Sequence, residues 1–246
     1  MSRAVLITGI SGGIGSALGV AYLEAGYYVI GTGRSASTGS QCDQYLQADL
    51  NALACDTAIL EKFRLSVIDA LNGRTLDVLI NNAASQNLAP LESLTIEAWQ
   101  TSMNTNLTAP FLLAKILLPE LERSGGNILN IGSVHALATK PEFVAYSTSK
   151  AALHGLTRAL AIDLGGRVRV NCLAPAAIST PMLNAGFENN RSALKQLEAC
   201  HPVNRIGTPE ECAKVALFLT SDHAGFATGS VFYLDGGILS RLHDPV

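Results

Sequence analysis

Short apolar runs recur along the chain at Ala4–Thr8, Tyr28–Thr32, Leu76–Ile80, Asn127–Ile131, Arg167–Leu173 and Ser230–Leu234. Between most of them lie longer stretches with helical periodicity, roughly Gly13–Ala25, Asp56–Leu71, Thr95–Leu121, Tyr146–Leu164 and Pro209–Ser221. This alternation restricts the fold more than any other feature. Strands separated by helix-length connections pair in parallel through right-handed crossovers, so the pattern predicts an α/β, doubly wound parallel sheet with helices on both faces. Hydrophobic residues make up 48% of the chain and charged residues 15%. That balance suits strands buried on both faces, which read as continuous apolar runs.

Two segments depart from the rhythm. Thr32 to Tyr45 is rich in Ser, Thr and Gly and too short for a full helix, so it reads as a loop leading to a short strand near Tyr45–Ala48. That strand brings the sheet to about seven. Ser179 to His201 is long and mixed, with Met182, Leu183, Phe187, Leu194 and Leu197 among polar residues. A segment of that length is often a lid or a substrate-binding excursion. No repeat or low-complexity linker divides the chain, so residues 1–246 read as one domain.

Several function classes are disfavoured. A formal net charge of −3 with no block of like charges argues against a nucleic-acid surface. The longest apolar stretch, Ala109 to Leu118, contains Lys115 and ends at Pro119, too short for a membrane span. Glycines interrupt the N-terminal apolar run too soon for a signal-peptide core. The five cysteines are scattered without a Cys-x-x-Cys and read as free thiols of a reducing compartment, which points to the cytoplasm. His154, His201, His223 and His243 show no ligand spacing, so no metal is expected.

The first strand runs into Thr8-Gly9-Ile10-Ser11-Gly12-Gly13-Ile14-Gly15, which opens the first helix. Glycines at 9, 13 and 15 let the backbone turn sharply and approach a pyrophosphate, and the helix N-terminus supplies free N–H groups. The end of the second strand reads Gly33-Arg34-Ser35, without a carboxylate to chelate ribose hydroxyls. Arg34 can fork onto a 2′-phosphate and the Ser35 hydroxyl can donate a further bond. NADP(H) is therefore favoured, with NAD(H) the alternative. Asp49 either hydrogen-bonds the adenine amine or caps a loop.

Tyr146 and Lys150 stand one helical turn apart, so phenol and ammonium project from one face. A nearby cation favours phenolate, which makes the phenol a usable general acid and base. Ser133 lies upstream at the end of the fifth apolar run.

Taken in order, these motifs resemble the short-chain dehydrogenase/reductase family nearly end to end. Asn81-Asn82-Ala83-Ala84 resembles its Asn-Asn-Ala-Gly, and Asn106 stands where the family carries a catalytic asparagine. Asn171-Cys172-Leu173-Ala174-Pro175 resembles the turn after the sixth strand, with Ile178 and Thr180 at positions that contact the nicotinamide amide. Arg205-Ile206-Gly207 and Asp235-Gly236-Gly237 extend the match and resemble 3-oxoacyl-acyl-carrier-protein reductases in particular. Ala84 and Ala176 replace glycines of the pattern, and the helix expected between strands two and three is missing.

The resemblance implies a Rossmann-type sheet and hydride transfer between NADP(H) and a carbonyl or secondary alcohol. Tyr146 would exchange the proton with the substrate oxygen, and Lys150 would lower the phenol's pKa and reach the nicotinamide ribose. Ser133 would hold the substrate oxygen, and Asn106 would hold a water relaying protons from Lys150. Gly9, Ser11, Gly13, Ile14, Gly15, Asn82, Ala83 and Pro175 would line the cofactor. At the substrate end, His135 offers a hydrogen bond or is a loop histidine, and Phe143 forms an apolar wall or packs. Trp99 reads as core or interface. The resemblance also implies a homodimer or homotetramer, packed through Thr95–Leu121 and Tyr146–Leu164. A small hydroxylated substrate, a carrier-bound 3-oxoacyl chain and a non-catalytic dinucleotide sensor are the competing readings.

Overall fold

The computed structural model describes residues 3–36, 41–187 and 190–242, with Met182 in its backbone only. The strands are β1 (Ala4–Thr8), β2 (Tyr28–Gly33), β3 (Gln44–Gln47), β4 (Leu76–Asn81), β5 (Asn127–Ile131), β6 (Arg169–Pro175) and β7 (Val231–Leu234). They form one seven-stranded sheet in the order β3-β2-β1-β4-β5-β6-β7, with every neighbouring pair parallel. The helices are α1 (Gly13–Glu24), α2 (Leu50–Cys55), α3 (Thr57–Leu71), α4 (Ile96–Met103), α5 (Ala109–Ile116), α6 (Leu118–Ser124), α7 (Val144–Leu164), α8 (Pro181–Ala185), α9 (Arg191–Cys200) and α10 (Pro209–Thr220).

Successive strand residues face opposite sides of a sheet, and β1 feeds two cores accordingly. Ala4 and Leu6 join Leu60, Phe63 and Val67 of α3, Leu113 of α5 and Leu164 of α7. Val5 and Ile7 join Leu18 and Tyr22 of α1 and Ala213, Ala216 and Leu219 of α10. The fully buried Tyr22 hydroxyl, which needs a partner once out of water, meets Thr220 Oγ1 at 2.6 Å and ties α1 to α10. Strand order reverses between β1 and β4, so a crevice opens at their carboxyl ends. Such a switch point is where ligands bind in open parallel sheets.

The structure corrects several boundaries. Thr95–Leu121 is not one helix: α4, α5 and α6 are separated by a π-turn at Asn104–Thr108 and a break at Leu117. Pro110 and Pro119 sit in the first turns of α5 and α6, where a missing N–H costs nothing. Trp99, on α4, is half-buried. A helix absent from the sequence reading, α2, begins at Asp49, whose carboxylate accepts from Asn51 N–H at 2.9 Å. The excursion at 179–201 contains α8 and α9, capped by Thr180 and Asn190. β3 lies one residue earlier than expected, and β6 begins at Arg169 instead of Arg167. Of the loop from Thr32 to Tyr45, residues 37–40 lie outside the described residues, as do the side chain of Met182 and all of His243.

Candidate active site

The glycine turn is folded back on itself so tightly that side chains have no room. An added Cβ on Gly15 would stand 2.0 Å from Gly9 O, and one on Gly9 would stand 2.8 Å from Ala83 Cα. Gly9 also has φ +68°, a left-handed conformation that glycine adopts without strain. Thr8 holds the turn to β4: its Oγ1 accepts from Asn82 N–H at 2.9 Å and Ala83 N–H at 3.0 Å. The Asn82 amide donates to Thr8 O and Gly9 O at 2.8 and 3.1 Å, so this side chain braces the loop. Ala84 and Ala176 both lie outside the positive-φ region, so replacing glycine at either position introduces no backbone strain.

Beyond the turn, α1 begins at Gly12 with no side-chain cap and no acidic residue in its first turn. Its first N–H groups carry positive partial charge toward the cleft, the arrangement that takes a phosphate. A cleft of about 1310 Å³ runs from here across the carboxyl edge of the sheet. Gly9, Ser11, Gly13, Ile14 and Gly15 line one end, with Arg34, Asp49, Asn82 and Ala83 beside them. Arg34 is exposed, and among the described residues no carboxylate pairs with it. Ser35 is exposed but does not line the cleft; its carbonyl accepts from the Tyr45 hydroxyl at 2.7 Å. Asp49 does cap α2 and also lines the cleft, so its two readings are compatible. A dinucleotide fits this donor set: an uncapped helix start for the pyrophosphate and a free guanidinium at the far edge.

The middle of the cleft holds Ser133, Tyr146 and Lys150. Lys150 is 2% exposed and its Nζ donates to Ile131 O at 2.6 Å. Burial pulls its pKa from the usual lysine range down to about 8. Burial pushes the Tyr146 phenol above its ordinary value, opposed by a hydrogen bond with the Ser133 side chain. Ser133 Oγ also accepts from His135 N–H at 3.2 Å, which fixes the hydroxyl at the end of β5.

Asn106 is fully buried in the π-turn. Its amide donates to Ser85 O and Ser149 Oγ, both at 2.9 Å, and its oxygen accepts from Ser85 N–H at 2.7 Å. Ser149 in turn donates to Tyr146 O at 2.7 Å. The side chain is thus engaged within the protein: both amide hydrogens are donated, and the oxygen accepts one bond and keeps a second lone pair. The visible task of Asn106 is to join the 85–87 loop to α7 through a wound-out helical turn, a feature that often marks functional sites.

Pro175, Ile178 and Thr180 also line the cleft. Ile178 bridges to Gly207, and Thr180 caps α8 while lying against the glycine turn, where an added Gly13 Cβ would be 2.8 Å from Thr180 Cγ2. Toward the open end, His135 stacks on Phe143 with centroids 4.3 Å apart, and both rings meet Tyr146 edge-on at 6.0 Å. Phe143 is buried and His135 half-buried. Burial, then the charge of Lys140, lowers the His135 pKa.

Sequence reasoning missed the support beneath these groups. Asn81 donates to Asn130 at 2.8 Å and Asn130 to Thr157 at 2.9 Å, all buried, which ties β4, β5 and α7 together. His154, one turn beyond Lys150, lies against Gly132 with Cys172. Burial and the charges of Lys150 and Arg158 hold its pKa down to about 4. The available signal was the α7 face itself, since 146, 150, 154 and 157 recur at helical spacing. Among the described residues no three His, Cys, Asp or Glu side chains gather as metal ligands.

Comparison with known proteins gives the same outline. A family model described as enoyl-(acyl carrier protein) reductase matches residues 9–239. Dehydrogenase/reductase SDR family member 4 of Homo sapiens is 34% identical over 98% of this chain and 89% of its own. D-threitol dehydrogenase of Mycolicibacterium smegmatis is 33% identical over 96% of this chain and 92% of its own. The solved structure of ElxO with NADP bound superposes with a TM-score of 0.86 at 27% identity, covering 98% of this chain and 100% of that one.

Proposed function

The chain belongs to the short-chain dehydrogenase/reductase family, and we propose that it interconverts a carbonyl and a secondary alcohol on a small hydroxylated molecule with NADP(H). At the coarser level it is an NAD(P)-dependent oxidoreductase. The observation that carries the reading is that Tyr146, Ser133 and the buried Lys150 line one cleft, with Lys150 Nζ 5.7 Å from the centre of the Tyr146 ring. A sensor needs a phosphate cradle but has no use for a proton donor held in this way.

A nicotinamide ring would be held by Pro175, Ile178 and Thr180, and would supply or accept the hydride. Ser133 donates a hydrogen bond to the substrate oxygen, and Tyr146 gives that oxygen its proton in reduction and takes it back in oxidation. In reduction the alkoxide gains the phenol's proton, and the phenolate is stabilised by protonated Lys150. Asn106, in the π-turn against α7, would hold the water that relays protons from Lys150. Arg34 supports NADP(H) over NAD(H), because it lines the cleft beside the glycine turn and pairs with no carboxylate among the described residues, which leaves its fork for a 2′-phosphate.

The carrier-bound 3-oxoacyl substrate is less well supported. Arg205, in the segment resembling those reductases, is forked onto Glu211 at 2.7 and 2.9 Å and is not free to dock an acidic carrier. The relative acting on D-threitol favours a hydroxylated small molecule. Exposed Ile96, Phe111 and Ile162 on α4, α5 and α7 support a homodimer or homotetramer. Among the described residues no helix is long and apolar enough to cross a membrane. The free, scattered cysteines support a reducing cytoplasmic compartment, and we propose a single domain. Initial rates with NADPH and NADH on small ketoses, polyols and 3-oxoacyl thioesters test this reading; turnover confined to the thioesters would reject the substrate class.

A further inference from the structure

Resting on that reading, we propose that the substrate carries a carboxylate, so that the open end of the cleft is built for a hydroxy or oxo acid. The end of the cleft beyond Tyr146 has two walls. One follows β5, in the turn before α7, and carries Thr139, Lys140 and Phe143; the other follows β7 and the end of α9 and carries Arg241, so both belong to the β5–β7 side of the cleft. Lys140 and Arg241 are both exposed, and neither pairs with a carboxylate among the described residues. The one described carboxylate on the lining of the whole cleft is Asp49, which is beside α2 at the cofactor end.

Both cations are held in place. Lys140 Nζ sits over the Phe143 ring at 4.8 Å, and Phe143 stacks on His135, which meets Tyr146 edge-on. Phe143 also meets Tyr146 directly at 6.0 Å, so a single ring separates the cation from the phenol. Arg241 donates one N–H to Ala199 O at 2.6 Å, leaving the rest of its fork for a ligand. A short molecule with its carbonyl at Tyr146 and an anionic group a few bonds away can reach this end.

His201 also lines the cleft but offers it no free polar atom: the residue is 1% exposed, its Nδ1 meets Leu197 O at 2.8 Å, and its Nε2 is sealed inside the protein. The anionic group therefore has to be met by the two exposed cations.

The test is calorimetric titration of the NADP⁺-loaded protein with lactate, glycerate and gluconate, each beside its neutral counterpart 1,2-propanediol, glycerol or glucitol. At least one acid should bind about tenfold tighter than its counterpart, as expected for two charge-assisted contacts at a partly exposed site. K140Q and R241Q should each weaken that preference about threefold, and the double variant should abolish it. Both residues are exposed, so the variants keep the fold. No acid preference, no acid binding, or a preference that survives the double variant would overturn the inference. Rates that fall in K140Q only for a carrier-bound 3-oxoacyl chain would also overturn it, reassigning the cations to protein docking. NADPH oxidation by neutral ketones in the same preparations reports separately on the reductase reading, so the two failures are distinguishable.

Discussion

Lys150 Nζ lies 5.7 Å from the centre of the Tyr146 ring, held there by its bond to Ile131 O and cut off from solvent. An ammonium so placed is suited to a phenolate that exists only during the reaction. At rest burial dominates: it raises the phenol pKa and pulls the lysine down to about 8. The protein bears the cost of an isolated buried cation until cofactor and substrate make use of it.

That cost has a pH signature. The Lys150 pKa is lower folded than its ordinary 10.5, so between pH 8 and 10.5 the unfolded chain binds more protons and stability rises with pH. Below pH 8 both states are protonated and this contribution is flat. Denaturant melts of the cofactor-free protein, taken as wild type minus Lys150→Met, should show a difference that climbs with pH across this window by a few kcal/mol. A flat difference would remove the buried charge from the account.

Asn106→Ala should both destabilise and slow the enzyme. The substitution strands the N–H and carbonyl of Ser85 and loosens Ser149 from its place under Tyr146. Loss of about 2–4 kcal/mol in urea unfolding is expected from the unmet buried groups. Asn106→Asp, which cannot donate to Ser85 O, should lie between the two, and stability unchanged in both variants would contradict the bracing role.

Gly15→Ala meets Gly9 O at 2.0 Å, so either the loop or α1 must shift. Because the N–H groups of that turn form the phosphate cradle, dinucleotide affinity should fall at least about tenfold while the thermal midpoint changes by a few degrees. Titration of NADPH fluorescence reads this directly.

Arg34→Ala should weaken NADPH binding by about tenfold or more, the scale of a charge-assisted phosphate contact, and leave NADH within about twofold. Equal losses for both dinucleotides would withdraw the NADP(H) preference.

The sheet was legible because its strands are buried on both faces and so stand out as apolar runs, and because β1, the glycine turn and α1 occupy consecutive residues. Tyr146 and Lys150 were legible for a related reason, since one helical turn of sequence places them together. The break in Thr95–Leu121 was not. It depends on Asn106 reaching Ser85 across a chain reversal, a contact that no local periodicity encodes. The Asp49 cap of α2 was present in the sequence but hidden by the shortness of the helix. Lys140 and Arg241 belong to no motif in the sequence, and only the fold puts both on one cleft.

The central claim is proton transfer by Tyr146 during hydride transfer, and it is tested by comparing wild type with Tyr146→Phe in NADPH consumption on a panel of ketoses and oxo acids. Wild type should turn over at least one member. The variant should lose about 100-fold or more in kcat, the scale of a general acid, while its NADPH dissociation constant stays within about twofold. Full activity in Tyr146→Phe, or wild-type protein that binds NADPH tightly yet reduces nothing on the panel, would contradict it.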